Sequence, residues 1–320
     1  MLKNLRVFVT ESVNPYENLA TEQFLFENTE KDTLTLFLWQ NQNTVVIGKN
    51  QNPWAECNCA LLEEEGGRVA RRISGGGAVF HDVGNLNFTF LCHEDNYSVE
   101  KQLQVIVSAC KKAGIEALIS GRNDVLASGK KFSGNAFYKK GGFCCHHGTI
   151  LINADIEKVG RYLTPAKEKL EAKGVKSVGA RVVNLKELAP ELTIDKMKEY
   201  LIKAFEDTYG FTAQINPFSV ANNYREKYED WNFIFGLTIP FTAKCQGQFS
   251  WGRVEFLLKV EEGKIAQLQV FTDSMDESLS QKLEDALVNC LYEKEALQKA
   301  LENIDFDYTS DVVKCFESIL

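Results

Sequence analysis

Three consecutive glycines, Gly75-Gly76-Gly77, sit inside the run RRISGGGAVFHDVGNLNFTF at residues 71–90. A helix or strand is weakened by three residues that lack a Cβ, and the backbone there can turn sharply and approach a ligand. The residues that follow, Ala78-Val79-Phe80 and Phe88-Thr89-Phe90-Leu91, are of β type. The segment is therefore expected to be a turn between strands. Such a turn can aim successive N–H groups at a phosphate. Arg71 and Arg72 beside it supply charge for phosphate oxygens. The same residues also fit a tight surface turn with solvated arginines. No Gly-Lys-Ser/Thr follows, so this is not a Walker A loop. Phe80 stands where the third glycine of a dinucleotide fingerprint belongs.

The rest of the chain mixes hairpins with helices. Leu5, Val7 and Val9 alternate as in a strand. Asn14 is a good N-cap, Pro15 suits the first helical position, and Glu17 would complete a capping box. Residues 33–39 and 44–47 read as two strands joined by a turn at 40–43, so a hairpin is expected. Residues 98–113 form a helix stopped at Gly114. Strand pieces bracket Gly129 to Gly134, and 148–152 is another. Residues 157–174, interrupted at Pro165, and 193–209 are helical. This order indicates an α+β fold rather than a doubly wound sheet.

A chain of 320 residues suggests two domains. A hairpin at 249–271, turning at Glu261-Glu262-Gly263, and two acidic helices near 277–291 and 293–303 form a small α+β unit. The aperiodic stretch 242–248 precedes it. The expected division is 1–245 and 246–320. Residues 273–317 hold 12 acidic and 4 basic side chains, which accounts for the whole formal charge of −8. That charge argues against non-specific nucleic-acid binding. No apolar segment is long enough to span a membrane, and no secretory h-region opens the chain. The nine cysteines include no CxxC and are expected to be reduced, mostly buried thiols of a cytoplasmic protein without structural zinc.

A second cluster, GRNDVLASGKKFSGNAFYKKGGFCCHHGTIL, spans residues 121–151. Lys130 and Lys131 lie between Gly129 and Gly134. A lysine ammonium is a compact charge able to hold two oxygens. Asp124 offers a carboxylate for magnesium or a hydroxyl. Two positive, glycine-rich segments in an acidic chain point to a phosphorylated ligand.

Taken together these segments resemble the lipoate–protein ligase A family of ATP-dependent lipoate-attaching enzymes. NPYENLATEQFLF (14–26), LFLWQNQNTVVIGKNQNPWAECN (36–58), the glycine-rich signature, GKKFSGNA and HHGTILINAD all match, as does LTPAKEKLEAKGVKSVGARVVNL (163–185). Residues 249–320 resemble the family's small accessory domain. The resemblance implies a large catalytic domain of the biotin/lipoate ligase type, with mixed sheets flanked by helices. It implies a two-step reaction: lipoate and ATP give lipoyl-AMP, and a lysine of an acceptor domain then takes the lipoyl group. Acceptors of the family are E2 subunits of 2-oxoacid dehydrogenases and the glycine-cleavage H protein. ATP and Mg2+ are the implied co-reactants. A monomer is expected, with no nucleic acid or membrane as partner.

Carried over residue by residue, Lys131 matches the lysine between α-phosphate and lipoyl carbonyl. Arg72 matches the phosphate-contacting arginine. Gly77, Ala78, Val79 and Phe80 match the stretch that lines the nucleotide. Asn85 is a candidate adenine or ribose partner, and Asp124 a magnesium or adenylate contact. Ser74, His81 and His147 are candidates for the acyl chain or carboxylate; each histidine fits a core hydrogen-bonder equally well. Trp39, Val45, Val46 and Ile47 are candidates for the apolar slot that a lipoyl chain needs.

Two other classes remain open at this stage. Relatives of the same fold transfer octanoyl or lipoyl groups through a cysteine thioester without ATP, and Cys144 and Cys145 adjoin His146 and His147. A lipoyl-AMP-binding sensor would retain the same binding residues without turnover.

Overall fold

The computed structural model describes residues 2–121, 123–163, 182–217, 224–236, 243–317 and 319. Within them fourteen strands form three sheets. The strands are β1 (Asn4–Val9), β2 (Thr33–Trp39), β3 (Thr44–Ile47), β4 (Arg68–Arg71), β5 (Val79–His81), β6 (Asn85–His93), β7 (Ala117–Ser120), β8 (Asp124–Ala127), β9 (Lys130–Lys140), β10 (Phe143–Leu151), β11 (Ala213–Pro217), β12 (Ala243–Phe249), β13 (Gly252–Glu261) and β14 (Lys264–Thr272). The large sheet runs β11-β1-β2-β6-β10-β9-β8-β7; the small ones are β4-β3-β5 and β12-β13-β14.

β2 shows why the large sheet is central. Leu34, Leu36 and Leu38 point into one core, which the helices Val99–Lys112 and Ile194–Tyr209 cover. Phe37 and Trp39 point into another, covered by the first helix, Pro15–Glu27. A strand buried on both faces reads as a continuous apolar run.

The expected hairpin between β2 and β3 does not form. β2 pairs with β1 on one side and β6 on the other, so neither edge is free. The connection instead crosses to the small sheet, where β3 pairs with β4 and β5. Asn18 Nδ2 pins the crossing by donating to Gln40 O at 2.7 Å and Asn41 Oδ1 at 3.0 Å.

The N-cap of the first helix is as expected, with Asn14 Oδ1 accepting from Tyr16 N at 3.0 Å. The capping box is not, because Glu17 accepts from Ser12 Oγ at 2.5 Å and pairs with Arg225 at 2.6 Å. Gly134 does not end a strand; β9 runs through it. The helix Ile156–Tyr162 begins as expected, but residues 164–181 of the 157–174 and 163–185 segments lie outside the described residues, as does Arg122.

The aperiodic segment 242–248 is largely a strand. Residues 243–249 pair with β13 along their whole length, so the last sheet begins before residue 246. Its alternation is hidden by the polar and small residues Gln246, Gly247 and Gln248 of a strand at the edge of its sheet. Three helices, Leu279–Leu287, Lys294–Leu301 and Thr309–Glu317, pack on this sheet, one more than expected. The segment after β14 reaches the glycine-rich turn: Gly76 N donates to Ser274 O at 3.0 Å, and Thr272 N to Asn50 O at 2.8 Å.

Candidate active site

The glycine-rich turn links β4 to β5. Gly76 has φ +88°, a conformation that disfavours any side chain, and a Cβ there would sit 3.0 Å from Arg72 Nη2 and 3.2 Å from Met275 Sδ. The two arginines before it do different work. Arg72 is buried and wraps the turn, donating to Ser74 Oγ at 3.0 Å, Gly75 O at 2.6 Å, Gly77 O at 2.8 Å and Val46 O at 3.2 Å. Burial lowers its pKa to about 10, which still leaves it charged at neutral pH. Arg71 points elsewhere. Its guanidinium donates to Lys49 O and Gln51 O at 2.8 Å each and to Phe233 O at 2.8 Å. It ties the 48–51 loop to the helix Trp231–Phe235 and lines no cavity beside the turn, so its charge is structural.

A buried polar chain runs behind the turn. His147 Nε2 lies 2.6 Å from Ser74 Oγ, and His147 Nδ1 lies 2.8 Å from Glu22 Oε1. Glu22 Oε1 also accepts from Thr89 Oγ1 at 2.6 Å, and Thr89 Oγ1 accepts from Trp39 Nε1 at 3.0 Å. One buried carboxylate on the first helix thus fixes a histidine, a serine and a tryptophan from three other elements. Sequence reading missed Glu22: it is 125 residues from His147 and looks like an ordinary helical glutamate.

Lys131 opens β9. Its ammonium lies 2.6 Å from Asp124 Oδ1 on β8. Gly134 leaves room for it, since a Cβ at that glycine would come 2.9 Å from Lys131 Nζ. Two cavities meet here. One, of about 340 Å³, is lined by Leu19, Trp39, Val46, Arg72, His81, Asn87, Ala136 and His147 as well as the shared residues. The other, of about 550 Å³, is lined by Phe80, Leu126, Lys130, Phe132, Leu151, Val159 and Leu163. Ala78, Val79, Asp124, Lys131, Gly134 and Thr149 border both.

The expected site residues therefore divide. Lys131, Arg72, Gly77, Ala78, Val79, Asp124, His81 and His147 border the first cavity, and Phe80 the second. Ser74 is buried behind the wall, held by Arg72 and His147. Asn85 borders neither; its neighbour on the same strand face, Asn87, does. Of the apolar candidates, Trp39 and Val46 line the first cavity. Val45 and Ile47 point the other way on β3, into a core with Phe80 and Tyr162. Asn135, Thr149 and Met275 were not singled out in the sequence, although the first two lie within the second basic cluster; Asn123, the neighbour of Asp124, lines the first cavity with them.

Cys144 and Cys145 are not poised as nucleophiles. All nine cysteines are free, and eight are buried. Burial raises the Cys144 pKa, and burial with the nearby Glu22 carboxylate holds Cys145 well above the thiol range. His146 faces Gln102 and Asn135 at 2.9 Å each, and burial lowers its pKa to about 3. Cys145 Sγ does lie within 4.8 Å of Glu22 and His147, but both of those groups are already hydrogen-bonded.

Residues 14–206 match the sequence profile described as lipoyl protein ligase A/B catalytic domain, and residues 238–314 match that of the bacterial lipoate protein ligase C-terminus. The lipoate-protein ligase A of Bdellovibrio bacteriovorus is 40% identical over 320 residues, covering 96% of this chain and 94% of its own. The chain belongs to the lipoate–protein ligase A family. It is an ATP-dependent lipoate–protein ligase. The P. falciparum LipL1 structure in complex with lipoate superposes on this ligase with a TM-score of 0.85 and 32% identity, over 97% of this chain and 98% of that one. A Thermoplasma acidophilum structure, of a bi-partite lipoate protein ligase and its E2 lipoyl domain, shares the fold at a TM-score of 0.67 and 24% identity, over 76% and 100% of the two chains. The ligase fold is the expected mixed α+β body with a C-terminal antiparallel sheet. Among the described residues no helix is long and apolar enough to cross a membrane.

Proposed function

We propose that the ligase binds lipoate in the 340 Å³ cavity and the nucleotide in the 550 Å³ cavity, so that carboxylate and α-phosphate meet at Lys131. The observation that carries this reading is that the two cavities share Lys131 and Asp124 at their junction. The first cavity has apolar walls at Leu19, Trp39 and Val46, as a lipoyl chain requires, with Lys131 and Asp124 where it meets the second.

In the first step a lipoate oxygen attacks the α-phosphorus, the bond from that phosphorus to the bridging oxygen breaks, and pyrophosphate leaves. Lys131 lies where negative charge then accumulates on the phosphate, and Arg72 stiffens the turn beside it. In the second step the ε-amine of an acceptor lysine attacks the acyl carbon. The bond from that carbon to the AMP oxygen breaks, AMP leaves, and the amine gives up a proton. Lys131 again faces the oxygen that gains charge.

Among the described residues Asp124 is the one carboxylate that borders both cavities, and it fits a magnesium ion, which needs one or two protein carboxylates beside substrate phosphates. Bound there, magnesium would neutralise phosphate charge. An E2 lipoyl domain is the acceptor class, by analogy with the T. acidophilum lipoylation system; the glycine-cleavage H protein is the other acceptor the family resemblance implies. We read the chain as a cytoplasmic monomer with a catalytic body and an accessory unit that begins at β12. Lipoate-dependent exchange of pyrophosphate into ATP, followed by intact mass of an E2 lipoyl domain and of H protein, tests the reading. Exchange with lipoate and a lipoyl mass gain supports it. Transfer that needs no ATP and is lost in a Cys144→Ser, Cys145→Ser variant contradicts it.

A further inference from the structure

The first cavity is lined by Lys131 and, beside Trp39, by two buried side chains that each leave one polar atom without a partner. His81 and Asn87 are 3% and 1% exposed, and both line the wall. His81 Nδ1 accepts from Asn41 Nδ2 at 3.2 Å, which leaves Nε2 to carry the ring proton. Burial, then the nearby charges of Arg72 and His147, lowers the His81 pKa to about 3, so the ring is neutral. Nothing among the described residues accepts from Nε2. Asn87 Oδ1 accepts from Asn85 Nδ2 at 2.9 Å, while its own Nδ2 has no acceptor.

Both groups flank the same tryptophan. The His81 and Trp39 rings stand edge-on with centroids 6.2 Å apart. Asn87 is the register partner of Trp39 across the β2–β6 ladder, so the two side chains share a face. Two donors are thus left unsatisfied beside the Trp39 ring, a cost that a suitable ligand atom relieves. A carboxylate or hydroxyl would lose much of its hydration to enter there. A disulfide or thioether sulfur is apolar enough to enter and still accepts weakly.

We infer that His81 and Asn87 are specificity-determining residues for the far end of the acyl group, donating to sulfur there and favouring lipoate over a plain alkyl acid of the same length. This rests on the reading that places the carboxylate at Lys131. The preference should be about tenfold in affinity, the size of one modest contact difference.

Calorimetric binding by the full chain tests it. The acids are lipoate, octanoate and an octanoate analogue with one sulfur near its tail. The natural chain is expected to bind lipoate most tightly, the thia-analogue next and octanoate least. In His81→Phe and in Asn87→Leu the preference for lipoate should fall toward parity. The acid series on the natural chain does not depend on either variant folding. Equal affinities for the three acids, as when a trapped water satisfies both donors, overturn the inference. So does a preference unchanged in both variants. Because binding is read rather than turnover, a chain that binds the acids selectively but exchanges no pyrophosphate would contradict the ligase chemistry and leave this inference standing.

Discussion

Lys131 Nζ lies 2.6 Å from Asp124 Oδ1, where the 340 Å³ and 550 Å³ cavities meet. The pair puts a cation and an anion at the junction, where the proposed reading has both reaction steps change charge. Lys131→Ala removes the cation and leaves the anion. Lipoate-dependent pyrophosphate exchange should fall by about 10²–10³, the usual cost of one lost charge-stabilising donor.

Gly134 offers a finer test of the same ammonium. In Gly134→Ala the added methyl would come 2.9 Å from Nζ and 3.0 Å from Cε of Lys131. Only the end of a flexible side chain has to move. Exchange should fall roughly 10-fold or more, since small misplacements at a reacting centre are costly, while the thermal midpoint barely changes. An equal loss of stability would indicate a packing role for Gly134 instead.

Glu22 should matter to the fold as well as to the pocket. Glu22→Ala strips the partner from His147 Nδ1 and Thr89 Oγ1 in a buried place. Leaving a buried polar group without its partner costs about 1–3 kcal/mol. Glu22→Gln keeps an acceptor oxygen and should lose much less. Urea unfolding of the two variants gives the comparison.

How much of this was legible in the sequence depends on how local each feature is. Asn14 as N-cap and Gly114 as helix stop are settled within a few residues, and both were readable. The β2–β3 hairpin failed because both edges of β2 are taken by strands that only the whole sheet reveals. Within the site, Lys131 and the glycine-rich turn stand out as motifs. The choice of Asn87 over Asn85, or of Val46 over Val45, needs to know which part of a strand face meets the cavity. Arg71 and Arg72 are adjacent and alike in sequence. Only packing sends one into the turn and the other to the 48–51 loop. Met275 arrives from the C-terminal unit, and Glu22 from a helix covering the sheet; neither belongs to a motif.

Stability should respond to acid through two rings. Burial holds both His81 and His146 at a pKa of about 3, far below the ordinary 6.5. Between those values the unfolded chain binds protons that the folded chain refuses. Stability is therefore present above pH 6.5 and is lost as pH falls from there toward 3, at about 1.4 kcal/mol per pH unit for each ring. Urea unfolding at pH 6.5 and 5 measures the slope. His146→Asn should remove one of the two contributions.

The most direct measurement of the central claim is acid-quenched analysis of the enzyme mixed with ATP, magnesium and lipoate, without any acceptor. Lipoyl-AMP should accumulate on the natural chain at about one per enzyme and be nearly absent from Lys131→Ala. Equal lipoyl-AMP in both would contradict the place given to Lys131, and none in either would contradict the adenylate route itself.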